Sequence, residues 1–121
     1  MTRPPSTRQV ELLSLVEDFG GFDGWGEAFS HWSTRMGGQL GMVNFDRISD
    51  ALIARKLIAV DAEFGTIEVT ETGRHALMAA DPARWDRETE PMANGVRFGL
   101  GGLEYANCRH CHSTITRRPV R

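Results

Sequence analysis

The stretch "NFDRISDALIARKLIAVDAEFGTIEVTETGR", residues 44–74, constrains the fold most, because its hydrophobic period changes partway along. Phe45, Ile48, Ser49 and Leu52 fall on one face of a helix, and Asp46, Arg47, Asp50 and Ala54 fall on the opposite face. From Leu57 the pattern becomes that of two short strands joined by a turn at residues 63–65. A helix resumes at "TETGRHALMAA", with Thr70 placed to cap it. A helix that hands over to a hairpin and back to a helix calls for a mainly α chain with a small β-hairpin.

Two more helices precede this stretch. Ser6 or Thr7 caps the first, Ser6 and Gln9 have capping-box spacing, and Leu12, Leu13, Val16 and Phe19 supply its apolar face before Gly20 and Gly21 stop it. Trp25, Phe29 and Trp32 recur at helical spacing in a second, weaker helix and read as core rather than as a ligand box. Beyond Pro82 the composition turns charged and turn-like over residues 81–91. Glycines then follow at 95, 99, 101 and 102 without the Lys-Ser/Thr of a phosphate loop. The expected organisation is a domain over residues 1–80, a linker and Gly-rich segment over 81–104, and a basic Cys/His tail over 105–121.

A chain of 121 residues is long enough for one modest core. No apolar run reaches the roughly 18 residues of a membrane span, and "MTRPPSTRQV" lacks the apolar core of an export signal. A cytoplasmic protein with no membrane partner is expected. The net charge of −2 makes no general case for nucleic acid, but its distribution is uneven. Arg3 and Arg8 make the first ten residues basic. Arg109, Arg117, Arg118 and Arg121 make the last seventeen basic, and no acid offsets them.

The wording of residues 6–80 resembles the winged helix-turn-helix of MarR- and PadR-type regulators. Those families carry a Leu-x-x-x-Gly-Leu-Ile turn after the recognition helix; here Leu52 leads to Leu57-Ile58, with Lys56 at the usual glycine. Their Leu-Thr-x-x-Gly-Arg wing exit corresponds to Val69-Thr70-Glu71-Thr72-Gly73-Arg74. The resemblance implies a DNA-binding transcriptional regulator whose third helix enters the major groove through Asn44 and Arg47. Arg55, Arg117 and Arg118 complete the expected DNA contacts, with Arg117 and Arg118 of the basic tail on phosphates. Residues 44–74 nevertheless hold four bases against six acids, and Asp61 and Glu63 at the wing tip would repel phosphate. The alternative is a protein-binding adaptor or inhibitor, of the sort phages and mobile elements encode, that uses Asp61, Glu63 and Phe64 of an acidic wing.

The tail segment "NCRHCHSTITRR" packs Cys108, His110, Cys111 and His112 into five residues. Its C-x-x-C-H pattern matches covalent haem attachment, but with no export signal haem is not expected. Two thiolates at this spacing suit one tetrahedral zinc, with His112 the first further ligand. His110, His75 and His31 are the other histidines, and the same cysteine pair of a second copy, in a homodimer, would also complete four ligands. Free or reversibly oxidised thiols in a mobile tail are the competing reading, and both stay open. No residue pattern here points to a catalytic cleft, so an enzyme is not expected.

Overall fold

The computed structural model describes residues 4–36 and 41–119. Arg3 and Arg121 of the two basic ends lie outside the described residues. Among the described residues there are five α-helices and two small antiparallel sheets, and no described helix is long and apolar enough to cross a membrane. The chain divides into two compact units, one through Arg74 and one from His75 onward. The expected boundary at residue 80 therefore moves back into a helix.

In the first unit, α1 (Thr7–Asp18) opens on a complete capping box. The Ser6 Oγ accepts from the Gln9 backbone N–H, and the Gln9 side chain accepts from that of Ser6, both at 3.2 Å. Leu12, Leu13, Leu15 and Val16 are buried. The helix ends with Gly20 and Gly21 at φ 69° and 103°. The Gly21 N–H donates to Val16 and the Gly20 N–H to Glu17, a Schellman stop. Gly21 is needed for space as well, since a Cβ there would lie 2.7 Å from the Ile67 carbonyl oxygen. The next residue, Phe22, exchanges backbone hydrogen bonds of 2.9 and 2.7 Å with Ile67.

Helix α2 (Trp25–Arg35) and helix α3 (Met42–Ala54) share an aromatic core. The rings of Trp25, Phe29 and Trp32 surround Phe45 at centroid distances of 5.8, 5.3 and 6.3 Å, so the expected stripe is core. Helix α3 ends as α1 does: Leu57 N–H donates to Leu52 and Lys56 N–H to Ile53. Lys56 sits at φ 60°, the left-handed position where the resembling families place glycine. Strands β1 (Ile58–Val60) and β2 (Ile67–Val69) pair antiparallel, with Ile58 opposite Val69 and Val60 opposite Ile67. Thr70 then caps α4 (Glu71–Ala80): its Oγ1 accepts from Gly73 N–H at 2.9 Å and donates to the Lys56 carbonyl at 2.7 Å.

The second unit occupies the segments expected to be linker and tail. Asp81 caps α5 (Pro82–Glu88), with Pro82 at the first helical position, where a missing N–H costs nothing. Strands β3 (Thr89–Glu90), β4 (Glu104–Cys108) and β5 (Thr114–Arg117) form an antiparallel sheet in that order. The expectation failed because charged side chains carry α5 and because β4 turns a glutamate inward. Glu104, Ala106 and Cys108 alternate onto the buried face. Met78, Trp85, Ala106, Cys108 and Ile115 make the core of this unit, with Cys111 packed against it.

Candidate metal centre

The β4–β5 connection is a tight knuckle. Cys108 closes β4, its N–H donating to the Ser113 carbonyl at 2.9 Å, while the His112 N–H donates back to the Cys108 carbonyl at 2.8 Å. Neither cysteine is in a disulfide; Cys108 is buried at 1% exposure and Cys111 is half-buried. The third member comes from α4. His75 Nε2 lies 3.1 Å from Cys111 Sγ, and one donor atom each from His75, Cys108 and Cys111 fall within 4.8 Å of one another. Tetrahedral bonds of 2.0–2.3 Å place ligand atoms about 3.6 Å apart, a spacing bracketed by these distances. The group can hold a metal ion.

This corrects the expected ligand set. His112, next to Cys111 in sequence, is not in the group. Its backbone is left-handed at φ 62°, and its side chain is exposed. A residue forced into that turn carries its Cβ away from the direction a right-handed residue would give it. His75 replaces it from 33 residues before Cys108, on a helix whose own sequence pattern gives no metal signal. His110 lies 3.1 Å from the Glu88 carboxylate.

The expected nucleic-acid contacts differ in exposure. Asn44 and Arg47 are exposed on α3, as is Arg118 after β5. Arg55 is half-buried and donates to the Gln9 side chain at 3.0 Å. Arg117 is largely withdrawn from solvent. Its Nε and Nη2 each lie 2.9 Å from Glu104 Oε1, and its guanidinium lies 4.5 Å from the Trp85 ring centroid. The side chains are 10% and 7% exposed, so Arg117 is a core residue rather than a phosphate contact. Burial pushes the Glu104 carboxyl up, but the hydrogen bonds and charges of Arg117 and then Arg97 outweigh it and hold the group below its ordinary value.

The wing residues Asp61, Glu63 and Phe64 are all exposed. Asp61 already has a local task. Its carboxylate accepts from the backbone N–H groups of Glu63 and Phe64 at 2.8 and 2.9 Å. Those of Phe64 and then Glu63 lower its pKa. The acid at the wing tip therefore builds the turn, and this turn projects Phe64 at 72% exposure. No protein-family model, curated protein or solved structure matches the chain.

Proposed function

We propose that the chain is a non-enzymatic binding module, a winged-helix scaffold that docks on a basic protein surface, with zinc stapling its C-terminal unit. The scaffold reading is supported by the order helix, bridge residue, helix, helix, hairpin, with Phe22 paired to Ile67 as a first wing strand. One observation carries the choice of partner: the outward surface of α3 and the wing. Asp46 and Asp50 stand beside Arg47 there, Glu63 is exposed at the wing, and Val43 and Phe64 are exposed at 71% and 72%. Residues 1–74 hold seven bases against eleven acids. Acidic charge around exposed apolar side chains complements a basic protein face with an apolar centre, and it opposes a phosphate backbone.

A second reading, the DNA-binding regulator of the resembling families, is favoured by Asn44 and Arg47, both outward on α3, and by exposed Arg118. One experiment separates the two. A photo-crosslinking residue at position 64 should yield a discrete protein adduct in cells, lost on reversing Asp46 and Glu63 to lysine. A duplex selected from a random pool at low salt would sink the protein reading, provided Arg47→Ala narrows its preference over random DNA.

Zinc is the metal that two thiolates and an imidazole suit best. The described core of the second unit, built on Met78, Trp85, Ala106, Cys108 and Ile115, is small, and units of about fifty residues commonly carry a staple. Purified protein should carry one zinc per chain, lost on Cys111→Ser. Metal-free protein with an intact second unit would overturn this.

A further inference from the structure

His75, Cys108 and Cys111 make three ligands, one short of a closed structural zinc site. Among the described residues no fourth histidine, cysteine or carboxylate joins the group. The remaining histidines are accounted for. His31 packs against Phe19 and Phe22 at ring distances of 4.5 and 5.4 Å within the first unit. His110 lies beside Glu88, and exposed His112 is held in a left-handed turn. The residues outside the description, 1–3, 37–40 and 120–121, contain no histidine, cysteine, aspartate or glutamate. The edge of the group also reaches solvent: Cys108 is buried, but His75 and Cys111 are both partly exposed.

We propose that the centre binds zinc through three protein ligands and keeps its fourth position for an imidazole or thiolate donor from outside the chain. This rests on the zinc reading above. Two thiolates cancel the charge of the ion, so long-range attraction does not select the fourth ligand. Donor softness does, which favours sulfur or imidazole nitrogen over carboxylate or phosphate oxygen. The same donor chemistry is available from a small molecule or from a histidine of a second copy.

The test uses the full chain loaded with cobalt in place of zinc. A thiolate-to-cobalt charge-transfer band should appear, and its absence would defeat the zinc reading itself. With cobalt bound, imidazole and a small thiol should each shift the visible d–d bands, saturating at one ligand per metal, while phosphate and acetate leave them unchanged. If a small donor is the natural occupant, the starting spectrum stays constant with protein concentration. If a second copy supplies the donor, the spectrum changes with concentration, and that change disappears in His110→Ala or His112→Ala. Bound cobalt whose bands respond to neither added donor nor protein concentration would overturn the open position while leaving the metal site in place.

Discussion

Replacing Arg117 by alanine should cost the second unit about 3 kcal/mol, because it strands a buried carboxylate. Breaking a buried ion pair from one side costs about 3–5 kcal/mol. Two features place this case at the lower end. Arg97 Nε still approaches Glu104 Oε2 at 3.4 Å, although its side chain is 71% exposed and screened. Arg117 Nη1 is buried with no hydrogen-bond partner, a cost that departs with the side chain. A unit of about fifty residues is stable by roughly 2–7 kcal/mol, so the substitution should leave it partly or wholly open. The sign with pH follows from the lowered carboxyl. In the native protein the pair's stabilisation is complete above the ordinary value of 4.5 and is lost as pH falls through the folded value. In Arg117→Ala, Glu104 keeps its burial but loses its main counter-charge, so protonation relieves the defect and the gap to the native protein narrows toward acid. Hydrogen exchange of β4 and β5 amides in zinc-loaded full-length protein, across a urea series at two pH values, measures both effects. Glu104→Gln in the Arg117→Ala background should recover part of the loss. A gap under about 0.5 kcal/mol, or one independent of pH, would refute the buried-pair account and return Arg117 to the surface.

Three further outcomes are expected. His112→Gly should raise stability by about 0.5–1 kcal/mol by relieving the left-handed backbone, with zinc stoichiometry unchanged in metal analysis, whereas His75→Ala should lose the metal; the reverse pattern would restore His112 to the ligand set. Gly73→Ala should destabilise the first unit by about 2 kcal/mol or more in urea unfolding, because the new Cβ would lie 2.0 Å from the Leu57 carbonyl oxygen; a neutral result would mean that α4 does not approach the α3–β1 turn as described. The Asp61 carboxyl, followed by carbon NMR, should titrate below 3.8, with the wing turn firm above that pH and loosening as pH falls through the lower midpoint; a midpoint at or above 3.8 would remove the turn-building role.

What sequence alone determined here was local. The Ser6–Gln9 capping box, the glycine stop at Gly20–Gly21, the Phe45–Leu52 face and the Thr70 cap all depend on residues close together along the chain, and each appears in the structure as read. Lys56 was legible as a departure from a glycine position, and its φ of 60° explains why glycine suits that turn. The second unit was harder. Asp81-Pro82 is a helix-start signal, but the charged run after it resembles a linker. In β4, Glu104 faces inward only because Arg117 comes from the adjacent strand to neutralise it, so hydrophobic alternation alone misreads that strand. The metal group depended most on tertiary structure. His112 stands beside Cys111 but is exposed, on a left-handed backbone, and outside the group, while His75 arrives from a separate helix. Ligand geometry depends on where side chains converge in space, and pairing α4 with the knuckle is a long-range packing event that no local spacing encodes.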